Sequence, residues 1–201
     1  NALYLNRGDF TFEDVTEAAG VAGTVDWASG VTMADVNGDG QLDIYVSAVS
    51  GYLGLKGRNE LFINQGPDED GVPRFAEQAA DYNLDDAGYG THAAFFDYDG
   101  DGDLDVYLVN HSTHDERTYE RATVRTQRHP KAGDKLYRND TGSGSGTSDG
   151  QFVDVSAEAG IYGSRVGYGL GVAVSDFDQD GHPDLYVAND FHENDYLYFN
   201  N

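Results

Sequence analysis

The nine-residue pattern D-x-[DN]-x-D-G-x-x-D occurs three times in this chain, each copy at the same place in a longer repeat. The copies are Asp35, Asn37, Asp39, Gly40, Asp43; Asp97, Asp99, Asp101, Gly102, Asp105; and Asp176, Asp178, Asp180, Gly181, Asp184. So many carboxylates in one short loop repel one another unless a hard cation neutralises them, and calcium takes about 6–8 oxygen ligands, many from such groups. An EF-hand loop starts alike, but it closes on a bidentate Glu at its twelfth position and lies between helices. Here that position is Val46, Leu108 or Val187, and the following LDIYV, LDVYLV and PDLYVA are short and rich in β-branched and aromatic residues, as strands are. Each loop is therefore expected to join two strands. Positions one, three, five and nine would supply side-chain oxygens and position seven (Gln41, Asp103, His182) a backbone carbonyl, for about three calcium ions in all.

Alignment on the loops exposes the rest of the repeat. Eight residues before each first Asp stands Trp27, Tyr89 or Tyr168, followed by a small or apolar run such as SGVTMA or LGVAVS that fits a buried strand. Phe12, Phe75 and Phe152 mark a further element, and LYLN, LFIN, LYRN and LYFN a fourth, whose leading leucines are 58, 75 and 61 residues apart. A period near sixty with insertions predicts stacked or radially arranged units, here approximately 1–58, 59–133 and 134–193, with a new unit starting at 194–201. Several short strands per unit, separated by Gly/Asp turns, give a sheet of about four strands, the size of one propeller blade.

The combined patterns N-x-L-Y-x-N-x-G-D, T-F-x-D-V-T-x-x-A-G-V and G-V-x-x-A-D-x-N-G-D-G-x-x-D-I-Y-V resemble the FG-GAP/VCBS repeats of calcium-binding β-propellers. The resemblance is strongest to the group related to cartilage acidic protein and UnbV, and integrin α-subunit propellers are more distant. It implies an all-β fold of about three four-stranded blades, with calcium loops between the first strands of each blade. It also implies binding or adhesion rather than catalysis. Propellers close with about 4–8 blades, so the chain is expected to be part of a larger propeller, with an open stack as the alternative.

Charge narrows the partners. Twelve Lys and Arg against 36 Asp and Glu give a formal charge of −24, and three calcium ions would leave it strongly acidic. Such a field repels nucleic acid and anionic membrane surfaces, and no apolar run is long enough for a membrane helix. The expected ligand is a protein or glycan, or other subunits of an assembly. Extracellular calcium modules bind at about 10⁻⁴–10⁻³ M, which favours an extracellular, secreted or cell-surface location. No cysteine is present to form a disulfide or a thiolate metal site.

No G-x-S-x-G elbow, P-loop or H-E-x-x-H motif occurs, and the clustered carboxylates are claimed by the loops, so no catalytic residue is assigned. The alternatives to a binding module are a structural subunit of an extracellular assembly and an accessory propeller of a surface carbohydrate-active enzyme. The main irregularity is the insertion 111–133, which holds His111, His114, His129 and Lys131. Its Arg117, Arg121, Arg125 and Arg128 would form one basic stripe if the segment were helical. That stripe either meets an acidic partner or folds back on the chain's own acidic surface. Arg7-Gly8-Asp9 falls where the repeat carries its Gly-Asp turn, and TGSGSGTSDG (141–150) reads as a flexible surface loop.

Overall fold

A computed structural model describes residues 1–113, 122–140, 152–191 and 193–201. Each recurrent sequence element maps onto one strand. The small or apolar runs form β3 (Ala28–Ala34), β7 (Gly90–Phe96) and β11 (Gly169–Ser175), and the acidic loops turn them into β4 (Asp43–Ala48), β8 (Asp105–Asn110) and β12 (Asp184–Asn189). The LYxN elements fall on β1 (Tyr4–Gly8), β5 (Glu60–Pro67), β9 (Lys135–Asn139) and β13 (Tyr196–Tyr198), and the Phe elements on β2 (Thr11–Asp14), β6 (Pro73–Glu77) and β10 (Phe152–Asp154). A single α-helical turn, α1 (Thr16–Ala19), follows β2 and ends at Gly20, whose φ of 78° is open to a residue without a Cβ.

All pairings are antiparallel, in the orders β3-β4-β5-β6, β7-β8-β9-β10, β11-β12-β13 and β1-β2. The sheets are therefore phased differently from the sequence units, because a sheet starts at the strand before the acidic loop whereas LYxN is its third strand. Among the described residues two sheets have four strands, and the pair β1-β2 and the triplet β11-β12-β13 flank them. The blades stack through their first strands, β7 against β3 and β11 against β7. Among the described residues the stack does not close into a ring.

Burial explains the composition of the strands. β4 and β8 are buried at every residue, which is why their centres, IYV and VYLV, are apolar throughout rather than alternating. One core lies between the two four-stranded sheets, around Tyr45, Leu61, Leu84, Val106, Leu108 and Phe152. A second, around Tyr107, Val109, Leu136, Leu185 and Val187, joins the middle sheet to the third. Between the first strands β3 and β7 the contact is backbone to backbone: a Cβ on Gly30 would lie 2.2 Å from the Thr91 carbonyl oxygen. Ser29 Oγ donates to the Gly90 carbonyl at 2.6 Å, and Thr91 Oγ1 repeats the link to Gly169 at 2.9 Å. Among the described residues no helix is long and apolar enough to cross a membrane.

The described part of the insertion contains a 3-10 turn, Ala122–Thr126. Arg125 pairs with Glu193 at 2.9 Å. Arg128 donates to the carbonyls of Asp134 (3.0 Å), Ser156 (3.3 Å) and Ile161. These two arginines thus engage their own chain, while His114, Arg117, Arg121 and the segment 141–150 lie outside the described residues.

Candidate metal centres

Each acidic loop is organised around its last carboxylate. Asp43, Asp105 and Asp184 open the second strand of their sheets and are fully buried. A buried carboxylate needs donors, and the same two backbone N–H groups supply them every time. One is the loop's own second residue: Val36, Tyr98 and Phe177 donate at 2.9, 2.8 and 2.7 Å. The other is the Asn of the LYxN strand: Asn64, Asn139 and Asn200 donate at 2.8, 2.8 and 2.9 Å. The carboxylate therefore ties the loop to the third strand.

The same Asn ties the loop to the neighbouring sheet. Asn139 Nδ2 donates to the Val36 carbonyl in the first loop at 3.5 Å, and Asn200 Nδ2 to the Tyr98 carbonyl in the second at 2.6 Å. A cavity of about 360 Å³ lies between the first two loops, lined by Asp35, Asn37, Asp103 and Asn139 among others.

The first Asp of each loop folds the turn. Asp35 accepts from the N–H groups of Asp39 (3.0 Å) and Gly40 (2.8 Å), Asp97 from Gly100 (2.7 Å) and Gly102 (3.1 Å), and Asp176 from Asp180 (3.1 Å) and Gly181 (3.0 Å). The fifth-position carboxylates Asp39, Asp101 and Asp180 accept from the backbone of Gln41, Asp103 and His182 at 2.8, 3.1 and 2.9 Å.

Oxygens of positions one, three and nine converge in two of the three loops. Asp97, Asp99 and Asp105 bring ligand atoms within 4.8 Å of one another, and so do Asp176, Asp178 and Asp184. Asp39, Asp101 and Asp180 lie outside these trios. The first loop has Asn37 at position three, so it carries one carboxylate fewer than the third loop and two fewer than the second, which adds Asp103, and Asn37 Nδ2 donates to Asp39 at 3.1 Å. Hard, oxygen-only donors with backbone-fixed carboxylates fit a divalent cation such as calcium.

Electrostatics point the same way. Burial pushes the Asp105 carboxyl up to about 7, and the charges of Asp99 and Asp103 add to the shift. Asp43 is also raised by burial, against the hydrogen bonds from Asn64 and Val36. Asp99 and Asp178 are raised by burial and then by the neighbouring Asp101 and Asp180. Asp184 goes the other way, lowered chiefly by the Asn200 N–H. A cation among the raised groups would relieve the repulsion that favours their neutral forms.

A second recurrent polar link was not visible as a site in the sequence. At the far end of the second strand, Asn59, Asp134 and Asp195 accept from the backbone N–H of Ala48, Asn110 and Asn189, each at 2.8 Å. Their side chains also bond the Tyr hydroxyls of that strand: Asn59 Nδ2 donates to Tyr45, whereas Tyr107 and Tyr186 donate to Asp134 and Asp195. The only sequence signal was an Asn or Asp two residues before each LYxN leucine.

Residues 1–46 match the FG-GAP-like repeat family, and residues 168–198 match the FG-GAP repeat family. Cartilage acidic protein 1 of Xenopus tropicalis is 29% identical over 188 residues, which are 94% of this chain and 25% of that protein. The chain thus spans about a quarter of the length of the curated relative it matches.

Proposed function

We propose that this chain, built of FG-GAP repeats, is part of a non-catalytic β-propeller module of an extracellular protein, in which calcium locks the inter-strand hairpins and the connecting loops bind a protein or glycan. The observation that carries the calcium assignment is the repeated geometry of the loops, with Asp105 and Asp184 each inside a converging carboxylate trio and bonded to the third strand. Asp35, Asn37, Asp39 and Asp43 would hold one ion, Asp97, Asp99, Asp101 and Asp105 the second, and Asp176, Asp178, Asp180 and Asp184 the third. The carbonyls of Gln41, Asp103 and His182 would complete these sets. Calcium would supply the positive charge that allows these carboxylates to stay ionised side by side. The residues themselves hold the backbone: position one closes the turn, and position nine fixes the register of the second strand against the third.

The extracellular assignment rests on the calcium concentration such loops require and on the acidic surface. Calorimetric titration of calcium into chelator-stripped protein, with melts of both forms, tests the proposal. About three sites and a raised melting temperature are expected, since a ligand that binds only the folded state stabilises it. A folded chain that takes up no calcium would overturn it.

A further inference from the structure

The fourth strand of a sheet seats one phenylalanine. Phe152 of β10, paired with Asn139, is fully buried in a cluster with Ala34, Val36, Leu61, Leu84, Val106 and Tyr137. One sheet further on, the equivalent positions are Phe96, Tyr98, Leu136, Ile161, Leu185 and Tyr198. There they line a cavity of about 250 Å³, and among the described residues β11-β12-β13 has no fourth strand.

The backbone edge of β13 is prepared for such a strand. In the other sheets the leucine of LYxN is bonded twice by the segment that carries the phenylalanine. Leu3, Leu61 and Leu136 accept from the N–H groups of Val15, Gln78 and Val155 at 2.9, 2.8 and 2.9 Å. Their own N–H groups donate to Thr16 Oγ1, Glu77 Oε1 and Ser156 Oγ at 2.8, 3.2 and 2.9 Å. Among the described residues Leu197, the equivalent leucine of β13, has neither bond.

The chain itself carries a strand of the required kind. In β2, Phe12 pairs with Asn6 as Phe75 pairs with Asn64 and Phe152 with Asn139. Phe12 nevertheless remains 62% exposed, because β1-β2 stands without the first two strands of a sheet. The two outer faces of the stack match in the same way. The third sheet exposes Tyr186, Leu197 and Phe199, whose equivalents Tyr45, Leu61 and Ile63 are buried against the middle sheet. The first sheet exposes Val31 and Met33 beside a cavity of about 480 Å³, and their equivalents Ala93 and Phe95 meet those same three residues.

We infer that two copies of this chain close a six-bladed ring, each lending β2 as the fourth strand of its partner's third sheet. Phe12 enters the 250 Å³ cavity with Asn200 as its cross-strand partner, and Thr16 and Val15 bond Leu197. β13 takes the place of β1, which carries the same LYxN element, so backbone bonds are exchanged one for one. The gain is burial of Phe12 and of the two apolar faces. The segment 15–27 already runs from β2 to β3 as 78–89 runs from β6 to β7, so the completed sheet lies against the first sheet of the copy that lent the strand. Two copies of three sheets give six blades, within the usual range of about 4–8, whereas three copies would exceed it. The inference rests on the propeller reading of the proposed function and goes beyond it by naming what completes the ring.

The test is sedimentation velocity of the calcium-loaded chain at about 0.15 M salt, which screens the repulsion between two acidic copies. A species of twice the 21.8 kDa chain mass should grow with concentration, and none larger. Phe12→Ala and Val31→Asp, both at residues exposed in the single chain, should each weaken pairing by about tenfold or more. The melting temperature of the single chain should not change. Copies carrying Glu13→Cys mixed with copies carrying Phe199→Cys report the register, because these residues would lie opposite each other as Val153 and Arg138 do. Oxidation should join the unlike copies. A chain that stays single, full pairing in both variants, or no mixed cross-link would overturn the inference. So would a single chain that binds a synthetic peptide of residues 9–20 without pairing, since the seat would then belong to a strand of another protein. The calcium-induced melting shift separates the two claims. A single chain with a normal shift removes the pairing alone, whereas one with no shift removes the metal-locked module as well.

Discussion

At the scale of single residues, the last Asp of each loop does two jobs that mutation can separate. Asp105 accepts the buried N–H groups of Tyr98 and Asn139, so Asp105→Ala strands two donors and should cost about 2–4 kcal/mol even without metal. Asp101 is exposed and bonds only loop backbone. Asp101→Ala should therefore leave the metal-free melting temperature nearly unchanged and lower only calcium affinity, which paired melts with and without calcium would show. Asp134 provides a pH signature away from the loops. Burial pushes its carboxyl up to about 7 from the model-compound value of 3.8, so folding takes up a proton between those values. The stability it contributes is complete below the lower value and is lost as pH rises through the upper one. Asp134→Asn keeps a side chain like Asn59 at the equivalent place. In urea melts the variant should gain on the parent by up to about 1.4 kcal/mol per pH unit across that window. The loop carboxylates were legible because their spacing is local. The Asn of LYxN was legible only as a strand marker, since its bonds to Asp105 and Val36 cross 34 and 103 residues of sequence.

At the scale of elements, apolar runs, Gly/Asp turns and the repeat period disclosed the strands, and β4, β8 and β12 fall where the post-loop runs indicated. The period alone did not give the phase of the sheets, because it is the same wherever a unit is started; the resemblance implied loops between the first strands of each blade, and the hydrogen bonds show that SGVTMA begins a sheet. The insertion was harder still. Four arginines at helical spacing read as one stripe, but Arg125 and Arg128 diverge, one to Glu193 and the other to backbone carbonyls. Packing between elements can be tested with two glycines. A Cβ at Gly30 would strike the Thr91 carbonyl at 2.2 Å, whereas one at Gly171 meets nothing within 4 Å. Gly30→Ala should destabilise by about 1–3 kcal/mol and Gly171→Ala by much less, as denaturant midpoints would report. Equal effects would mean that the close approach of β3 and β7 contributes little.

At the scale of the whole molecule, the acidic loops are part of the contact between sheets as well as turns within them. Asn139 and Asn200 reach from one sheet into the loop of the sheet before, so ordering one loop steadies its neighbour, as expected where stability comes from interfaces between repeats. The −24 charge follows the same architecture, since three of the turns between strands are closely packed carboxylate loops at one end of the sheets. The central claim is that a cation in each loop locks both the hairpin and the sheet next to it. Hydrogen exchange with and without calcium tests it most directly, followed at the amides of Val36, Tyr98 and Phe177 and of their cross-strand partners Asn64, Asn139 and Asn200. The account predicts slower exchange at all six on adding calcium, with protection extending into β3, β7 and β11. Protection confined to the loop residues, or none at all, would contradict it.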